Sequence, residues 1–212
     1  MGFFDHLVQA SVSQRRPQRL RPRPVWMKPE AAIGATVPVE LILLRTPDAA
    51  VVVSAVTAYP AGFEFTVSAM LREDEAVPMF PGAPDGSIPD TFLRVGVLFA
   101  DGRSGTNLDV MTGAPELAAD KGNVVFTGTG GSGGMRRFDG TYWVWPLPPD
   151  GPVTFVCEWP GHDVPESRAS MNGELITAAA RRAIQLWPEH HSPGAPIISA
   201  VVVDDSPPDT SP

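Results

Sequence analysis

Apolar and polar positions alternate with a period of two along several stretches between residues 36 and 160. The segments TVPVELILLR (36–45), AVVVSAVTAY (50–59) and GFEFTVSAML (62–71) are rich in valine and aromatic residues, and Pro-Asp and Pro-Ala-Gly turns separate them. In the third, Phe63, Phe65, Val67, Ala69 and Leu71 alternate with Glu64, Thr66, Ser68, Met70 and Arg72, which predicts one core face and one wetter face. FLRVGVLFA (92–100) and NVVFT (123–127) read as further strands, the first ending at Asp101-Gly102, a two-residue primed turn.

The stretch GTGGSGGMRRFDGTYWVWPLPPDGPVTFVCEWP (128–160) holds a glycine loop, an arginine pair and three of the five tryptophans. Pro149-Asp150-Gly151 predicts a hairpin turn. That register sets Leu147 opposite Val153, Trp145 opposite Phe155, Trp143 opposite Cys157 and Thr141 opposite Trp159 on the core face. Tyr142, Val144, Thr154, Val156 and Glu158 take the other face. A helix follows over 172–187. Asn172 is its cap, Ile176, Ala179, Ala180, Ala183, Ile184 and Trp187 form its apolar stripe, and Pro188 stops it.

These elements predict a mostly β chain, an antiparallel β-sandwich of the immunoglobulin-like class with one C-terminal α-helix packed on it. The sandwich domain spans 35–187. Residues 1–34 form an N-terminal arm, with a short amphipathic helix over 3–12 and an Arg/Pro-rich linker. Residues 188–212 form an extension with a strand at 196–203 and an acidic, disordered tail. The segment 73–90 carries five acids and four prolines and reads as a long exposed loop.

Charge narrows the function classes. The net charge of −8 disfavours non-specific nucleic-acid binding by the whole molecule. Against that background Arg15, Arg16, Arg19, Arg21 and Arg23 stand together in an acid-free, proline-broken arm, a candidate surface for an anionic partner. Of the 16 basic residues only Lys28 and Lys121 are lysine, a bias that points to a GC-rich genome. The single Cys157 excludes an intramolecular disulfide. No run approaches the roughly 20 apolar residues of a bilayer span, and the first residues make a poor secretory signal, so the expected location is cytoplasmic.

The glycine run matches two catalytic patterns by spacing. Gly128, Gly130 and Gly133 fit G-x-G-x-x-G, and Gly130-Gly131-Ser132-Gly133-Gly134 contains G-x-S-x-G. Both mechanisms need a helix directly after the glycines, and here the next segment, MRRFDGTYWVW, reads as a strand. No catalytic residue, metal or cofactor is therefore assigned. A hydrolase acting through Ser132 is kept as an alternative. So is an anion site in which the amides of Gly130, Gly131, Ser132 and Gly133 act with Arg136 and Arg137. His162, Asp163 and Glu166 have neither a Cys pair nor an HExxH arrangement beside them and read as a solvated loop.

Residues 128–187 resemble a family of uncharacterised actinobacterial proteins. The likeness rests on the glycine loop, YWVWPLPP, GPVTFVCEWP and an alanine-rich helix ending in LWP, together with the earlier FADGR (99–103). It implies no activity. The function expected is a non-enzymatic binding or assembly module whose partner is another protein. The alternatives are a hydrolase or an anion- or nucleotide-binding protein using the glycine loop 128–134, and a nucleic-acid accessory acting through the arginine-rich arm 15–24.

Overall fold

The computed structural model describes residues 23–74, 87–109 and 115–188. The expected helix at 3–12, the arginines Arg15, Arg16, Arg19 and Arg21, the expected strand at 196–203 and the acidic tail lie outside them, as does most of the 73–90 loop.

The fold is mostly antiparallel β. The first sheet contains β2 (Ala35–Thr36), β3 (Leu41–Arg45), β4 (Ala49–Ala58), β5 (Phe63–Leu71), β8 (Val125–Gly133) and β9 (Arg137–Trp145), in the order β2-β4-β5-β9-β8 with β3 also on β4. The second contains β6 (Arg94–Phe99), β7 (Ser104–Thr106), β10 (Pro152–Trp159) and β11 (Val164–Asn172), in the order β11-β10-β6-β7. A short ribbon joins β1 (Ala32–Ile33) to β12 (Ile184–Gln185). Two α-helices, α1 (Pro115–Asp120) and α2 (Glu174–Ala180), and a 3-10 turn at Pro160–His162 complete the described elements.

The strands form where period-two alternation lets one face be buried. Phe63, Phe65, Val67 and Ala69 of β5 are fully buried, as that pattern requires. Both sheets contribute to one hydrophobic cluster, with Val51, Val53, Phe65 and Tyr142 from the first and Val97, Val153, Phe155 and Trp159 from the second. At its centre Phe65 meets Phe155 edge to face at 4.9 Å. Among the described residues the buried Asn107 completes the edge of β6 beyond the end of β7. Its side-chain oxygen accepts from the Val95 N–H at 2.9 Å, and its side-chain amide donates to the Leu93 carbonyl at 2.9 Å.

Four expectations change. The 128–160 hairpin does not exist, because β9 pairs with β5 and β8 while β10 pairs with β6 and β11. The segment 146–151, entered through a cis Trp145–Pro146 bond, crosses from one sheet to the other. The face of β9 is consequently inverted: Phe138, Tyr142 and Val144 enter the core, and half-buried Trp145 pairs with Val125 instead of Phe155. On β10 the expected face holds, with Val153, Phe155, Cys157 and Trp159 buried.

The helix ends at Ala180, half its expected length. Ile176, Ala179 and Ala180 are buried, but Ile184 is strand and Trp187 is 61% exposed. Asn172 sits one residue before the cap and accepts from the Glu174 N–H at 3.0 Å. The Asp101-Gly102 turn is a three-residue loop, with the Phe99 N–H donating to the Arg103 carbonyl and Gly102 at φ +87°. Finally, the glycine loop is a strand: Gly130 to Gly133 pair with Thr141 to Phe138 on β9 after a bulge between Gly128 and Gly130.

Candidate binding cleft beside the glycine strand

The second half of β8 owes its position to β9. Gly140, between Phe138 and Tyr142, leaves room for both rings; a Cβ there would stand 2.9 Å from the Tyr142 hydroxyl and 3.0 Å from Phe138. With those rings seated inward, Asp139 and Thr141 face outward, and Ser132 and Gly130 opposite them belong to an exposed, glycine-rich margin. Among the described strands β8 has a neighbour on one side only, so its outer backbone edge faces no strand. From Gly128 to Gly134 every residue is exposed, and a Cβ on Gly128 or Gly130 would meet open space.

A cleft of about 520 Å³ opens beside this edge. One wall is the segment 23–30, with Arg23, Trp26, Met27, Lys28 and Glu30; the other is Thr127, Gly128 and Thr129, with Trp143 in the lining. The wall is pinned from beneath. The Trp143 indole N–H donates to the Trp26 carbonyl at 2.8 Å, and the Lys28 ammonium reaches both oxygens of Glu64 at 2.7 Å. The bulge turns Thr129 the same way, so that its hydroxyl donates to Glu64 at 2.7 Å. Glu64 thus ties the wall to the glycine strand. Burial alone would lower the Lys28 pKa, but the hydrogen bond and charge of Glu64 outweigh it and the net shift is upward. The ammonium also lies 5.1 Å from the Tyr59 ring centre, and Tyr59 meets Trp143 edge to face at 5.7 Å.

The residues singled out from sequence are distributed as follows. Gly130, Gly131, Ser132 and Gly133 form the open edge. Arg136 pairs with Asp74 at 2.8 Å. Arg137 grips Asp139 at 2.8 Å and donates to the Ser68 hydroxyl at 3.1 Å, while that hydroxyl also donates to Asp139. The Arg137 hydrogen bonds hold the Asp139 carboxyl below its ordinary pKa against some desolvation, with Ser68 adding to the effect. Both arginines are therefore already engaged by acids of the same chain. Ser132 stands in register with Asp139, whereas His162 packs against Trp159 with ring centres 3.9 Å apart and the planes tilted by 58°, at the end of β10 in the other sheet. Arg23 reaches the cleft and pairs with Glu30. Cys157 is buried, which pushes its thiol up to about 11.

Trp26, Lys28 and Glu64 were not singled out as site residues. The only signals available were that Lys28 is one of two lysines and that Glu64 lies on the polar face of its strand. A second, smaller cavity of about 350 Å³ lies on the four-stranded sheet over Gly96, flanked by the Arg94–Glu158 and Arg168–Glu166 ion pairs at 2.7 and 2.6 Å. Among the described residues there is no cluster of three or more His, Cys, Asp or Glu placed to hold a metal. None of their helices is long and apolar enough to cross a membrane. Compared with known protein families, curated proteins and solved structures, the chain matches none.

Proposed function

We propose that the protein is a non-enzymatic binding or assembly module that captures an extended segment of a protein partner by strand addition to the outer edge of β8. The observation that carries this reading is the open edge itself. It is backbone-rich, uncharged and exposed from Gly128 to Gly134, and an aromatic-lined cleft lies at one end to receive a side chain. Main-chain hydrogen bonds along the edge supply affinity, and the cleft supplies selectivity.

We also read the architecture as an immunoglobulin-like sandwich with α2 packed on it. Two features support this: the single core drawn from both sheets, and the strand orders β4-β5-β9-β8 and β11-β10-β6-β7, which follow the A-B-E-D and G-F-C-C′ pattern of that class. In those terms β5 and β10 occupy the positions that a disulfide joins in antibody domains, and here Phe65 against Phe155 fills that place.

The test uses the full chain as bait beside Gly130→Lys. Position 130 has open space for a side chain, so the variant keeps its melting temperature while placing a charge on the edge. Wild type should retain a partner that slows amide exchange in 128–133, and Gly130→Lys should lose it. A partner retained equally by both baits would move the contact elsewhere.

A further inference from the structure

We infer that the strand captured by β8 is β8 of a second copy of this chain, forming a twofold dimer in which Met135 of each copy enters the cleft of the other. The inference rests on the strand-addition reading and names its partner. The edge is self-complementary. A twofold axis normal to an antiparallel pair passes through a residue that faces its own counterpart. With Gly131 on that axis, Gly130 faces Ser132 and, counted straight through the bulge at Thr129, Thr129 faces Gly133 and Gly128 faces Gly134, so every opposed pair between 128 and 134 contains a glycine. No charge or proline lies between Val125 and Met135 to discourage such pairing.

Met135 and the cleft select this register. Met135 is 67% exposed, the most exposed large apolar side chain among the described residues. Met135 lies in the turn that closes β8 onto β9, where the Gly134 N–H donates to the Arg137 carbonyl at 2.8 Å; with the axis on Gly131 this turn of one copy stands level with Thr127 of the other, and Thr127 lines the cleft beside Trp26 and Met27. With the axis on Gly130, Met135 would instead meet buried Val125, and with the axis on Ser132 it would meet Thr129, whose side chain is held by Glu64. A flexible thioether suits a cleft of irregular lining, and the symmetry provides the contact twice.

The test is sedimentation equilibrium of the purified full chain from micromolar to millimolar concentration. Wild type should dimerise, and Met135→Asp should weaken the dimer at least tenfold with an unchanged melting temperature. Gly130→Lys and Gly130→Glu should each be monomeric. Their equimolar mixture should re-form a one-to-one dimer, because the two 130 positions lie diagonally on one face near the axis. A chain that is monomeric throughout overturns the inference, as does a dimer insensitive to all three substitutions. If the chain is monomeric yet loses an external partner on Gly130→Lys, strand addition stands and only the second copy is refuted.

Discussion

Trp143 and Trp159 look alike on paper and are nearly equally buried, at 1% and 0% exposed, yet they lie on opposite sides of the first sheet. Trp159 belongs to the core that the two sheets share. Trp143 lies on the outer face of β9, outside that core, and is covered by the segment 23–30. Each donates its indole N–H to a carbonyl at 2.8 Å, Trp159 to Thr91 and Trp143 to Trp26. Trp159 therefore fastens a loop to the core, and Trp143 fastens the wall of the cleft to a sheet. The lesson is that burial does not identify a core residue until what covers it is known.

The comparison can be broken most forcefully at Trp159. Trp159→Ala should cost about 3–5 kcal/mol in denaturant unfolding, as for large-to-small changes in a packed interior. A cost below about 1 kcal/mol would mean that Trp159 is no more central than Trp143. Trp143→Phe keeps an aromatic ring but removes the indole donor, and should cost about 1–3 kcal/mol. Its distinguishing sign is local: amide exchange should quicken across 23–30 and leave β10 unchanged. Faster exchange in β10 would mean that the two tryptophans share one cooperative unit.

The smallest effect concerns the outer face of the first sheet at its other end. Asp139 has a lowered folded-state pKa, so its contribution is present above the ordinary carboxylate range near pH 4 and is lost as pH falls through the folded value. Asp139→Asn should flatten the acid limb of the stability profile by less than about 1 kcal/mol, because the pair with Arg137 is partly exposed. Identical acid limbs for the two proteins would show that the Arg137–Asp139–Ser68 cluster contributes nothing to stability.

Legibility in sequence followed the range of the interactions. The buried faces of β5 and β10 were readable because alternation is a local property of a strand, and each strand has one face toward the core. The face of β9 was not readable. Its outward Trp143 and Trp145 are as apolar as its inward Tyr142 and Val144, so alternation gives no contrast, and the turn residues suggested the wrong partner strand. The helix failed at its second half for a related reason. The stripe of Ala183, Ile184 and Trp187 is helical in spacing, but Ile184 pairs with Ile33 in the terminal ribbon, some 150 positions earlier in the chain.

The candidate site divides in the same way. Residues 128–134 were conspicuous as glycines, and glycine composition reads locally as a loop. Only the inward seating of Phe138 and Tyr142, which fixes β9 against β5, makes that run the edge of a sheet. The cleft needed contacts at long range, Lys28 with Glu64 and Trp26 with Trp143, which leave no periodic trace in either segment.

By itself the sequence determined the β class, the positions of most strands, the inward face of Cys157 and the want of charge along 125–135. Each of these follows from composition or from short-range alternation. Tertiary structure alone decided which sheet β9 and β10 join, which tryptophan lies between the sheets, and that a glycine run becomes an open edge beside an aromatic cleft. Those outcomes depend on which distant surface covers each face, and hydrophobic burial is non-directional: it rewards any cover equally until the whole chain is packed.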